Sequence, residues 1–428
     1  MTWTAERTTI NQVVNIGAEA TTALGTNVSA SKRLTCFDWT FGIAADVKMY
    51  RPTGHKYSTI QEENMEWVDW TMAGAMDYNG TIYPLGGIMG SVSPVAHGAS
   101  STAKDWVFTP PIVQPSVVPQ TYTIEQGDSI RAHKLTYSLC NSWGYTMSRK
   151  DTSINGKGLG LAISDGITLT SNPTTVALAP VVGKHVNVYL DSTSGALGTT
   201  QLTRSFQIDY MFDGVYGPFY PLNRANLSYT GHVDLAPKTT LGLLVEADST
   251  GMGELTNLQT GSTQFMRVNA QGLIIDNLQT LTIGGGATGG TFTLSYKGVT
   301  TSNITYSATL AASVVNTAFQ GLSTVGANCT VTGSNGGPYT FTFSGALASD
   351  MTAVVATNTG LTGGTPTITM VAQAYNIFQH DMALKVSKVN PFKDEQGIYA
   401  VKWEFEIVED ATWGKAQTIT VTNLITAL

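Results

Sequence analysis

A chain of 428 residues is too long for one ordinary hydrophobic core, and typical domain sizes put it at about two or three. Only 12% of its residues are charged, against roughly 25% in an average soluble domain. The balance is acidic, with a net charge of −7, which excludes a protein that grips phosphate backbones through Lys and Arg. No run approaches the ~20 apolar residues of a membrane-spanning helix, so a surface this poor in charge points to burial against copies of itself.

From the N-terminus onward, Met1 through Thr9 contains no apolar h-region, and no secretory signal is expected. Cys36, Cys140 and Cys329 are too far apart for metal ligands and odd in number, which fits synthesis in a reducing compartment. A helix is predicted from near Asn79 through Tyr83, Leu85 and Ile88. Leu135, Tyr137 and Leu139 alternate with Thr136 and Ser138 at the period of a strand. A second helix is predicted over Thr309 to Leu322, with Leu310, Val314, Phe319 and Leu322 on one side. Near the C-terminus Val401, Trp403, Phe405 and Ile407 share one strand face, and Lys402, Glu404 and Glu406 share the other. Gly, Thr, Ser and Val dominate throughout, so the expected class is mostly β.

The chain also repeats itself. Val14-Asn15-Ile16 followed by Ala23-Leu24-Gly25-Thr26 returns as Val186-Asn187-Val188 followed by Ala196-Leu197-Gly198-Thr199. Arg33, Asp38, Trp39 and Phe41 return with the same spacing as Arg204, Asp209, Tyr210 and Phe212, and Tyr50-Arg51-Pro52 is echoed by Tyr216-Gly217-Pro218. A duplication is expected, with one domain over residues 1–178 and a second over 179–276 and 373–428. Between them, 277–372 is Gly-bordered and almost uncharged, carrying only Lys297 and Asp350, as expected of a small α+β module inserted in a loop.

Several stretches, taken in order, resemble the tail tube proteins of long-tailed bacteriophages. They are Val47 with Tyr50-Arg51-Pro52-Thr53-Gly54, Glu66-Trp67, Gly74 with Met76-Asp77-Tyr78, Gly17 to Thr21 with Ser31 to Leu34, Pro119 to Asp128, and the ending Ile419 to Asn423. The insert is similar to glycine-rich, Ig-like modules of phage virion proteins through Gly290 to Leu294 and Gly337 to Gly345. The resemblance implies two tandem tube domains of β-sandwich or barrel type, each with a short helix. Relatives with one such domain stack as rings of six, so a chain with two implies rings of three. The implied partners are further copies of the chain and the tape measure, terminator and distal tail proteins, with DNA passing through the lumen unbound. The implied location is the virion tail, assembled in the bacterial cytoplasm. A ring-stacking loop is implied about Arg51, His55, Lys56, Glu62 and Glu63.

On the polar face near the C-terminus, Glu404 and Glu406 are expected to look into the lumen, where carboxylates repel DNA. No enzyme activity, cofactor or metal is expected. Gly284, Gly286 and Gly289 have dinucleotide-loop spacing, but Thr291 to Leu294 reads as strand where that loop needs a helix. His55, His97, His133, His185, His232 and His380 lack metal-ligand spacing. Asp209 and Asp213 form no convincing glycosidase pair, because only Asp209 has a counterpart, at Asp38. The competing expectation is an adhesin or decoration protein that binds host-surface glycans through Phe292, Tyr296, Tyr306, Tyr339 and Phe341 of the insert. Their alternation along strands favours a core role.

Overall fold

The structure, a computed structural model, describes residues 9–97, 103–113, 118–222, 226–275, 278–347, 352–372 and 374–428. The segment read for a signal (but for Thr9), the proposed boundary at 276 and 277, and Asp350 lie outside the described residues. The protein is mostly β.

The first half contributes β1 (Val13–Ala18), β2 (Phe37–Tyr50), β3 (Ile60–Ala75), α1 (Ile82–Met89), β4 (Lys104–Phe108), β5 (Tyr122–Gly127), β6 (Ala132–Ser148) and β7 (Thr152–Gly160). Their antiparallel pairings run β1-β5-β6-β7-β3-β2. The second half contributes β8 (Val186–Asp191), β9 (Ser205–Asp213), β10 (Tyr216–Phe219), β11 (Gly231–Asp234), β12 (Lys238–Glu246), α2 (Glu254–Thr260) and β13 (Gln264–Ile274). After the insert follow β14 (Tyr375–Val389), β15 (Ile398–Ile407) and β16 (Gln417–Asn423). Here the pairings run β8-β13-β14-β15-β12-β9, the same order strand for strand. The halves are not separate bodies: β16 pairs with β4 as well as β14, and one hydrophobic cluster runs from Val14 to Val421 through both.

The insert opens where the first half makes only the short turn between β5 and β6. Ile275 N–H donates to Ala374 O at 2.8 Å, so the module leaves and rejoins the main body at one point. Its strands cover a core of their own, with Phe292, Tyr296, Phe319, Tyr339 and Phe341 all buried.

Alternation explains the strands. In β15 Trp403 and Phe405 are buried while Glu406 is exposed, as the period-two pattern dictates. In α1 Asp77 receives the N–H groups of Asn79 and Gly80 at 2.9 and 2.7 Å just ahead of the helix, which supports its start. Two expectations need correction. The helix of the insert spans the shorter stretch Ala312–Gln320 and buries Phe319 as expected, but it turns Val315 inward in place of Val314, which is half exposed. Leu310 and Leu322 are buried from the turns flanking it. Periodicity does not locate α2, because seven residues carry too little period to read, although the resemblance implied a short helix in each half. The Tyr50 and Tyr216 echo does not hold: Tyr50 ends β2 at a hairpin tip, whereas Tyr216 opens β10 just after the positive-φ Gly214.

Candidate functional site

Eight strands join into one continuous run, β2-β3-β7-β6 from the first half and β9-β12-β15-β14 from the second. The seam is the pairing of β6 with β9, from Ser142 opposite Asp213 to Ser148 opposite Gln207. It needs close backbone approach, since a Cβ on Gly144 would lie 2.4 Å from Tyr210 O.

Beneath the seam lies an aromatic cluster. Tyr145 stacks on Tyr210 with centroids 5.1 Å apart, and Trp143 and Phe378 pack against Tyr145 at 5.7 and 5.6 Å. His380, fully buried, lies edge-on to Tyr210 at 4.6 Å. Its Nδ1 is 3.0 Å from the Tyr145 hydroxyl and its Nε2 is 3.1 Å from Gln417 Oε1, which also accepts from Tyr210 at 2.7 Å. An amide oxygen only accepts, so Nε2 carries the hydrogen and Nδ1 accepts from Tyr145. Burial pushes the imidazole down to about 3.

The opposite face is polar. Register puts Thr146, Asp209, Gly242, Glu404 and Lys388 in one row across five strands. A second row holds Thr40, Thr71, Lys157, Ser142, Asp213 and Lys238. Charges on this face pair: Lys402 with Asp209 at 2.7 Å, Lys157 with Asp213 at 3.1 Å, and Lys388 with Glu404 at 3.4 Å. Asn390 Nδ2 also donates to Glu404 at 2.7 Å, and that hydrogen bond holds the Glu404 carboxyl below its ordinary range. Glu404 and Glu406 therefore share a face, as the alternation predicts. The face is not simply acidic, since Lys157, Lys238, Lys385, Lys388 and Lys402 stand on it among the carboxylates.

The run ends in two stretches of strand that have a single strand neighbour each. Among the described residues β2 pairs only with β3, and Lys385 to Val389 of β14 pair only with β15. Beyond the sheet, β2 and β3 continue as a long arm with Ile43, Met49, Tyr50, Tyr57 and Ile60 exposed. In the second half the corresponding place is taken by the hairpin of β10 and β11, which folds back onto the first half. There Tyr229 donates to Tyr137 O at 2.6 Å, and His232 Nδ1 lies 3.0 Å from the Tyr137 hydroxyl. Tyr137 has φ +52°, an unfavourable conformation for an aromatic residue, and its N–H donates to Glu19 Oε1 at 2.9 Å.

Of the expected stacking loop, only Arg51, His55 and Lys56 lie in the connection at the arm's tip. Glu62 and Glu63 belong to β3, opposite Lys48 and Val47, because strand pairing extends further than loop composition suggested. The remaining candidates for chemistry are scattered. His97 contacts Asp105 at 2.9 Å, His133 contacts Asp165 at 2.8 Å and His185 contacts Tyr78 at 3.3 Å. Among the described residues no group of three or more His, Cys, Asp or Glu is placed to hold a metal. Gly284 closes a strand and is followed by the positive-φ turn residues Gly285 and Gly286, and the next element is the strand Thr291–Tyr296, not a helix. All five aromatic residues of the insert considered for sugar stacking are buried. No protein-family model matches the chain, and no curated protein matches it.

Proposed function

We propose that this protein is a structural subunit of a bacteriophage tail tube, with two tandem tube units, that polymerises as stacked rings of three and catalyses nothing. One observation carries the reading: the four-strand order of the first half recurs in the second, and the two are joined edge to edge at β6 and β9 into a single sheet. A unit that already adds to its own duplicate is a unit built for head-to-tail addition, and closure into a ring removes the edges that would otherwise pair without limit. Three chains supply six such units. The polar face of the sheet becomes the wall of the channel and the apolar face remains the core, as in barrels that enclose water.

In this reading DNA slides past the lumen wall without binding, the tape measure occupies the channel before ejection, and terminator and distal tail proteins close its ends. The insert, opening from a turn, sits on the outside, and the virion tail is where the protein resides. Burial of Phe292, Tyr296, Tyr306, Tyr339 and Phe341 removes the aromatic platform on which the adhesin alternative rests. Negative-stain microscopy of the purified protein tests the proposal. Rings or tubes with threefold or pseudo-sixfold outlines are expected; a protein that stays monomeric at every concentration sinks it.

A further inference from the structure

We propose that the two ends of the eight-stranded sheet are a matched pair: the outer edge of β2 in one molecule adds to Lys385–Val389 of β14 in a second copy, in the register β9 already uses on β6. The inference rests on the polymerising reading only in taking the partner to be another copy of this chain.

The template is inside the molecule. Trp39 sits opposite Met72 in the first half as Tyr210 sits opposite Leu241 in the second, so β2 stands where β9 stands. Likewise Tyr145 faces Ile154 as Val389 faces Trp403, and Trp143 faces Gly156 as Val386 faces Phe405, so the end of β14 stands where the end of β6 stands. At the seam Tyr210 lies opposite Tyr145, Met211 opposite Gly144 and Phe212 opposite Trp143. Transferring that register sets Trp39 of one copy opposite Val389 of the next, Thr40 opposite Lys388 and Phe41 opposite Val386.

Chemistry at the two edges fits. Phe41 is only partly buried and Ile43 is 72% exposed, whereas Phe212, the counterpart of Phe41, is buried under the internal seam. Beyond the end of β14, Phe392 and Tyr399 stack 4.7 Å apart with both rings exposed, offering apolar area to an incoming strand. Asp38 lies on β2 while Lys385 and Lys388 lie on β14, so the edges carry opposite charge on the polar face. At the edge of β2, Gln126 Nε2 donates to Trp39 O at 2.7 Å; that carbonyl has a second lone pair for a strand N–H.

Directed cross-linking tests the register. In full-length protein with Cys36→Ser, the pair Thr40→Cys and Lys388→Cys is compared with each single variant and with Thr40→Cys plus Thr240→Cys, a mid-sheet position on the same face. All three substituted positions are exposed, and the parent protein is imaged in parallel. Under mild oxidation the in-register pair is expected to give a ladder ending at three chains, with the 40–388 disulfide identified by peptide mass. Rings without that linkage would overturn the register and leave the polymerising reading intact. Linkage without closed rings would uphold the edge pairing and remove the tube. Neither linkage nor any assembly would overturn both.

Discussion

Lys402 Nζ reaches Asp209 Oδ2 at 2.7 Å by lying across position 242, where a glycine leaves room; a Cβ there would sit 2.6 Å from Lys402 Cε. Asp209 also accepts from Thr146 at 3.0 Å and so ties β9 to strands on both sides of the seam. Burial alone would raise its carboxyl, but hydrogen bonds from Lys402 and Gln207, the Lys402 charge and the bond from Thr146 outweigh that and hold it low. Asp209→Asn should therefore cost roughly 1–2 kcal/mol in urea unfolding at neutral pH. A depressed carboxyl stabilises above its unfolded pKa, so the difference from the parent should fade as pH drops through the acid range. A double-mutant cycle with Lys402→Met should return a coupling of about 1 kcal/mol, and additivity would deny the link.

The His380 cluster makes the seam acid-sensitive. Its imidazole is held at about 3 when folded and returns to about 6.5 when exposed. The unfolded chain binds the extra proton between those values, so stability is complete above about 6.5 and falls by about 1.4 kcal/mol per pH unit below it, until about 3. Thermal melts from pH 7 to pH 4 should show this slope. His380→Gln, which offers a donor to Gln417 and an acceptor to Tyr145, should melt lower at pH 7 but with a visibly shallower pH dependence. An unchanged slope would assign acid sensitivity to carboxylates alone.

Much of this organisation was legible because period-two strands and ordered repeats survive in sequence. Asp38 and Trp39 find Asp209 and Tyr210 at matching places in two equally ordered sheets. Less legible was the pairing of carboxylate and loop that accompanies the repeated Ala-Leu-Gly-Thr. Glu19 receives Gly25 N–H at 2.7 Å, and Asp191 receives Gly198 N–H at 2.8 Å, but the residues differ in length and in distance from the loop. The seam itself was invisible, because no local pattern says that β6 accepts β9 on its free side. Joining distant segments is a property of register and closure, and the sequence states only which face of each strand is apolar.

Removal of the insert should leave the main body folded. The module has its own core, and its ends meet where Ile275 bonds Ala374. Replacing 277–372 with Asp128–Ser129–Ile130–Arg131, the turn between β5 and β6, closes the same hairpin base in the other half. The shortened chain should keep its far-ultraviolet β signature and melt within a few degrees of the parent, since few contacts of the main core are touched. In the tube reading it should still form rings, narrower by the missing outer module. Loss of folding would show that the module is part of the core it only borders.

The polar face of the sheet gives the last prediction. Each of Lys157, Lys388 and Lys402 has a carboxylate within 3.4 Å, which offsets their charge on the face and keeps these three from standing alone to clamp a phosphate. Phosphate contacts by free lysines release counterions and bind tightly at low salt, and along a channel they act as drag. Asp209→Asn, Asp213→Asn and Glu404→Gln together should therefore make assembled protein retain duplex DNA, with retention falling steeply as salt rises, where the parent shows none. Glu404→Lys with Glu406→Lys goes further, because it adds positive charge beside Lys388 and Lys385 and removes the acceptor of Asn390. In the tube reading, a phage carrying that pair should assemble tails normally and deliver its genome several-fold more slowly. Ejection at the parental rate would deny Glu404 and Glu406 the lumen position that this reading gives them.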